Sequence, residues 1–278
     1  MFTIQLEGPF SEAESRMNGG MMLEEWLLLP GGPKTQFNKT SGSFWLSSTT
    51  VGAIQFDTSS RAISAYPQDG IDFRIFERTL VHDWLPVVYP TWGMQVLHAS
   101  AAVHLPRGIV VAFAGVTGAG KSTLGYGLSQ RPGWQQIADD SLAFTIRDEK
   151  IRILSIPNTV RLRSASAVHY GQQAYSHEPL DWPDMELGLD TVFFVEKKGG
   201  SEIKPGSQSR VVPISSVQTF PLLLQHAYAL TLKFPEHNKR LLRDYLRLAL
   251  EVAAFRLVFH KSFSALDETL DAVERQVH

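Results

Sequence analysis

The chain has 278 residues, enough to bury a sizeable core as one large domain or two lobes. Its 26 basic and 28 acidic residues leave a net charge of −2, which gives no bulk attraction to nucleic acid or to an anionic membrane. There is no cysteine, so disulfides, thiolate catalysis and cysteine zinc sites are excluded. No apolar run approaches the ~20 residues that span a bilayer and the start has no secretory pattern, so the expected location is the cytoplasm.

Residues 1 to 90 read as a β-rich N-terminal lobe. Short alternating runs at 44–46, 51–56 and 62–66 are separated by turn clusters such as Pro30-Gly31-Gly32-Pro33. No chemical motif falls in this lobe, and its expected role is a scaffold or cover. Residues 71–88 have helical spacing and lead into a second lobe over 91–278.

In that second lobe, residues 96–103 read as one strand carrying His98. Residues 109–114, Ile-Val-Val-Ala-Phe-Ala, read as a fully buried strand. Directly after it, Gly115-Val116-Thr117-Gly118-Ala119-Gly120-Lys121-Ser122 fits G-x-x-x-x-G-K-[ST], with Thr123 behind it. Leu124 and Leu128 then share a helical face until Pro132 ends the helix. Strand, glycine loop and helix are the context a phosphate-binding loop requires. Gly115, Gly118 and Gly120 open backbone angles closed to other residues, so successive N–H groups can converge on phosphate oxygens. Lys121 reaches the outer phosphates and the Ser122 hydroxyl serves Mg²⁺. The expected ligands are ATP and Mg²⁺.

A loop of this kind names a nucleotide without naming a reaction. Asp139-Asp140, at the end of the apolar segment beyond the loop helix, supplies carboxylates where Mg²⁺ and an acceptor hydroxyl need them. From spacing alone, one aspartate could serve Mg²⁺ while the other either acts as base or caps a turn. His98 could sit near the phosphates and hydrogen-bond a carboxylate, or be a satisfied core histidine.

The rest of the chain reads as follows. Residues 141–146 and 151–156 form a hairpin, and Arg161 and Arg163 alternate on one strand face, toward an anion or toward solvent. His169, Tyr170, His177 and Trp182 fall in a polar stretch fit to bind an acceptor or to close. Residues 191–195 are a strand, 215–233 and 238–254 helices, 255–260 a late strand. Ser264 to Asp267 opens the last helix with a capping box. Lys233, Lys239, Arg240, Arg243 and Arg247 read as the wet face of an amphipathic helix, not a nucleic-acid surface.

His98-Ala99-Ser100-Ala101, the loop strand, Gly115 to Thr123, and Ile137-Ala138-Asp139-Asp140-Ser141 together resemble the catalytic core of HPr kinase/phosphorylase. The likeness covers roughly residues 98–163. It implies an α/β fold, a P-loop HPr-kinase-like core beside the smaller β-rich lobe. It also implies ATP-dependent phosphorylation of a serine-type hydroxyl on a peptide or protein. Within it Asp139 matches the base, Asp140 acts with Ser122 on the Mg²⁺ side, and His98 matches the core histidine. Some relatives accompany lasso-peptide gene clusters and phosphorylate the C-terminal serine of a precursor peptide. The chain departs from true HPr kinases where they carry a glycine-rich signature with a glutamate: here stand Ile156-Pro157-Asn158-Thr159-Val160-Arg161-Leu162-Arg163. That departure removes support for HPr as acceptor and for phosphorylase activity. A small-molecule hydroxyl kinase and a non-catalytic nucleotide-binding regulator stand beside the peptide-kinase expectation. No nucleic-acid or membrane partner is expected, and self-association is left open.

Overall fold

Residues 3–27, 34–160, 162–174, 180–196, 209–228, 235–260 and 262–277 are described by the computed structural model, a mixed α/β chain. It divides into two units, Met1–Gly93 with Ala229–Asn238, and Met94–Tyr228 with Lys239–His278. The Pro30-Gly31-Gly32-Pro33 turn, Arg161, His177 and Lys233 lie outside the described residues.

In the first unit, β1 (Thr3–Leu6), α1 (Phe10–Met17), β2 (Met21–Leu27), β3 (Lys34–Lys39), β4 (Phe44–Ser48), β5 (Gly52–Phe56) and β6 (Ala62–Pro67) follow one another. The strands form one six-stranded sheet in the order β1-β6-β5-β4-β3-β2. Side-chain alternation assigns its faces. Trp45, Ala53 and Tyr66 pack with Phe10 and Ala13 of α1. Phe37, Phe44 and Phe56 point the other way and meet ring to ring, centroids 5.7–6.3 Å apart. Thr35 shares the Phe37 face and accepts a hydrogen bond from Trp84 Nε1 at 3.2 Å. The helix expected over 71–88 is present with changing winding: α2 (Phe73–Thr79), a π turn over Leu80–Trp84, α3 (Leu85–Val88) and a 3-10 turn over Tyr89–Trp92. Pro86 has no N–H for the carbonyl four residues back, and the neighbouring Leu85 N–H reaches Leu80 O, five residues back.

The second unit runs β7 (Gln95–Leu97), β8 (Ala99–His104), β9 (Ile109–Ala114), α4 (Lys121–Ser129), β10 (Trp134–Ala138), β11 (Leu142–Arg147), β12 (Lys150–Leu154), α5 (Ser164–Tyr170), β13 (Thr191–Val195), β14 (Arg210–Pro213), α6 (Ser216–Gln225), α7 (Pro235–Glu251), β15 (Ala253–Val258) and α8 (Leu266–Val277). The first residues of α7, up to Asn238, fall in the first unit. A six-stranded sheet has the order β10-β8-β9-β13-β15-β14, and a three-stranded one the order β12-β11-β7. In the large sheet β9, β13 and β15 are parallel, and β8 runs antiparallel between β10 and β9. Both faces are covered, which is why β9 and β13 read as unbroken apolar runs. On one face Val111, Phe113, Phe193 and Leu257 pack against Leu124 and Leu128 of α4 and Leu270 and Val273 of α8. On the other, Val110, Ala112, Val192 and Phe194 pack against Leu223 of α6, Tyr245 and Leu248 of α7, and the small sheet. Arg131, past the end of α4, pairs with Asp271 of α8 at 2.6 Å.

Three local expectations change. The single strand over 96–103 is two: β7 pairs with β11 in the small sheet and β8 with β9 in the large one, with the break at His98. The helix expected to run to 233 stops at Gln225, because Tyr228 N–H donates to Val96 O and Ala227 bridges Leu97. The capping box belongs to α6, through Ser215 and Gln218, whereas the N-cap of the turn before α8, Ser262, makes no side-chain cap. Among the described residues no helix is long and apolar enough to cross a membrane.

Candidate functional site

Topology brings the expected site residues to one edge of the large sheet. Because β9 and β10 both run antiparallel to β8, their C-terminal ends and the N-terminal start of β8 share that edge. The register fixes it: Ala99 faces Ala114, and Ala101 faces Ala138. Loop 115–120 leaves β9 there, Asp139-Asp140 leaves β10 there, and His98 enters β8 there.

Between β9 and α4 the loop uses left-handed backbone at two glycines. Gly118 and Gly120 take φ of 79° and 115°, in the left-handed region. Gly115, expected to use the same freedom, is required for space instead: a Cβ there would stand 2.7 Å from Val195 O. Val116 and Thr117 form the exposed tip and Ala119 is buried beneath it. Lys121 is buried, and its Nζ donates to Gly115 O at 3.0 Å. Burial lowers the pKa of its ammonium. Asp140 and then Asp139 oppose that, and the charge of Arg163 adds to it. Ser122 is half-buried at the start of α4. The Thr123 hydroxyl is taken by Ser166 of α5, 2.7 Å away.

The carboxylates differ sharply in exposure. Asp139 is fully buried. Asp140 is a quarter exposed at its side chain, and its Oδ1 lies 3.4 Å from His98 Nε2. Asn158 holds the turn between them: Asp139 N–H donates to Asn158 Oδ1 at 3.2 Å, and Asn158 Nδ2 donates to Ser141 O at 2.8 Å. Ser100, one strand residue beyond Ala99, donates to Ala138 O at 3.2 Å and accepts from Gln136, tying β10 to β8.

Besides Asn158, three residues come to this edge without having been placed there by the motif. His226 ends α6, and its carbonyl accepts from His98 N–H at 2.7 Å. Burial first, then the neighbouring His98 and Lys121, push its imidazole down to about 4, so it is neutral at pH 7. Tyr228, two residues on, sets its ring 5.8 Å from that of His98. Arg163 is not on a strand; it is the N-cap of α5. Its Nη1 lies 3.4 Å from where a Gly118 Cβ would be. Of the polar stretch that follows, His169 and Tyr170 belong to α5, and Trp182 is part-buried against the core. Of these, Arg163 alone carried a sequence signal, its alternation with Arg161; no local pattern marks His226 or Asn158.

No protein-family model matches the chain. No curated protein matches it either. Among solved structures it is similar to the Hpr(Ser) kinase/phosphatase from Coxiella burnetii. The identity is 15%, the match covers 66% of this chain and 92% of that one, and the TM-score is 0.32.

The donor set suits Mg²⁺ bound with a nucleotide. The Ser122 hydroxyl and the Asp140 carboxylate are hard oxygen ligands, and Mg²⁺ takes few protein ligands beside phosphate oxygens and water. Beside them stand the glycine loop and the buried Lys121 ammonium, a charge suited to a polyphosphate.

Proposed function

We propose that this protein is a phosphotransferase that moves the γ-phosphoryl group of ATP to a serine-type hydroxyl of a peptide or protein. The observation that carries the reading is the meeting, at one sheet edge, of the glycine loop with Lys121, the Asp139-Asp140 pair and His98. A nucleotide-binding loop alone serves many proteins. A carboxylate pair near enough to act on the charge of Lys121 suits transfer.

In this reading backbone amides of the glycine loop and Lys121 would hold the outer phosphates, and Ser122 and Asp140 would hold Mg²⁺. The ion would offset phosphate charge and align the γ-phosphate. Asp139 accepts the proton of the acceptor hydroxyl as its oxygen bonds to the γ-phosphorus and the bond to the β–γ bridging oxygen breaks. The products are the phosphoester and ADP. His98 orients Asp140. The C-terminal serine of a lasso-type precursor peptide is a specific acceptor this reading includes.

Burial favours a second division of labour. Asp139 is 0% exposed, whereas Asp140 is open enough to meet a bulky acceptor and has an imidazole beside it. Asp140 would then take the proton and Asp139 would face the metal.

The test is γ-labelled ATP with Mg²⁺ and an extract of the source, resolved by size, with Asp139→Asn and Asp140→Asn as controls. Label on a discrete peptide or protein is expected. The variant lacking the base should keep Mg–ATP affinity and lose transfer by roughly 10²–10⁴-fold. The metal-side variant should instead need more Mg²⁺. Label confined to small molecules would replace the acceptor class, and nucleotide binding with no transfer in any fraction would favour a regulator.

A further inference from the structure

α5 is fastened to the helix that follows the glycine loop. Thr123 and Ser166 share a hydrogen bond of 2.7 Å between their hydroxyls. Tyr170 Oη donates to Thr123 O at 3.2 Å, and the Tyr126 and Tyr170 rings meet edge-on with centroids 4.8 Å apart. Gly127 makes the approach feasible, since a Cβ there would stand 2.3 Å from Tyr170 Oη. The residue immediately before this fastened helix is Arg163. Its guanidinium is therefore delivered over Gly118, at the centre of the loop, by contacts made further along α5.

Arg163 places a second cation beside the loop. Arg163 acts on Lys121 as a like charge. Two like charges beside one glycine loop suit a polyanion better than they suit each other. A guanidinium also offers a planar fork of donors that matches phosphate oxygens bidentately, which an ammonium cannot.

We propose that Arg163 is a phosphate-binding residue of the nucleotide site, supplied in cis by the α5 N-cap and closing on the outer phosphates opposite Lys121. This rests on the nucleotide-binding reading above and adds to it a ligand outside the loop motif.

The experiment titrates Mg–ATP and Mg–ADP into the full-length protein, wild type and Arg163→Ala, with Arg163→Lys and free guanidinium as rescues. Arg163→Ala should weaken Mg–ATP by about tenfold or more and Mg–ADP by less. Arg163→Lys should recover only part of the loss, and guanidinium ion should restore part of it in the alanine variant. A merely structural role would give neither the ATP-over-ADP bias nor the chemical rescue. If thermal melting shows that the alanine variant is misfolded, Arg163→Gln, of similar length, takes its place. Wild-type-like Mg–ATP affinity in a folded variant, within about twofold, overturns the proposal while leaving the nucleotide reading intact. Failure of the wild type to bind either nucleotide overturns both.

Discussion

Asp140 sits at φ 64°, a left-handed backbone angle that costs a side-chain-bearing residue about 1–2 kcal/mol, less for aspartate than for most. The other described non-glycine residues at positive φ, Arg61, Asp148 and Glu149, lie in turns between paired strands of one sheet. Asp140 instead joins β10 of the large sheet to β11 of the small one, where Asn158 locks the backbone on both sides. A carboxylate is thus kept at an angle glycine would adopt freely, next to a second carboxylate. Strain of this kind gathers where a side chain is needed for function. Asp140→Gly is accordingly expected to leave stability unchanged or raise it by up to about 1 kcal/mol, while lowering phosphoryl transfer, through a raised Mg²⁺ requirement or through loss of the base. Urea unfolding and the labelling assay check the two halves. A loss of more than about 1 kcal/mol would mean that the contacts of Asp140, His98 included, outweigh the strain.

At the scale of elements, the loop edge rests on the buried strands β9 and β13. Phe113, Phe193 and Phe255 face one another in register across the parallel strands β9, β13 and β15, with neighbouring centroids 5.7 and 5.4 Å apart. Phe193 is the middle ring and is fully buried. Phe193→Ala would lose both ring contacts and leave a cavity under α4, so a loss of roughly 3–5 kcal/mol is expected in chemical denaturation. A loss below about 1.5 kcal/mol would show that α8 and α4 collapse onto the gap. These strands were legible because burial on both faces leaves an unbroken apolar run, and the loop was legible because its glycines and lysine stand at fixed spacings. The break at His98 was not, since one apolar run fed two sheets and periodicity does not register a change of partner. Likewise the end of α6 is set by the pairing of Ala227 and Tyr228 with β7, a long-range contact that no local propensity contains. The same limit explains the site. Lys121, Asp139 and His98 belong to a motif, whereas His226 and Asn158 reach it only through the fold, and Arg163 through the clamp of α5.

For the molecule as a whole, the division into two units makes a spatial prediction about ligand binding. Every residue assigned here to nucleotide and transfer lies in the unit formed by Met94–Tyr228 and Lys239–His278. A ligand that binds only the native state stabilises it by RT ln(1 + [L]/Kd), about 2.7 kcal/mol at a hundredfold excess over Kd. That stabilisation protects backbone amides only where their exchange proceeds through openings that destroy the site. Hydrogen exchange with and without Mg–ATP should therefore slow most in residues 109–128, 134–141 and 162–170. Amides of the first unit's sheet, residues 34–67, should change little. If Arg163 binds the outer phosphates as proposed above, residues 162–170 should respond to nucleotide as strongly as the loop itself. Protection of residues 34–67 as large as that of 109–128 would show that the two units open as one cooperative body. Protection of the loop without 162–170 would separate α5 from the nucleotide site, and with it the arginine that α5 carries.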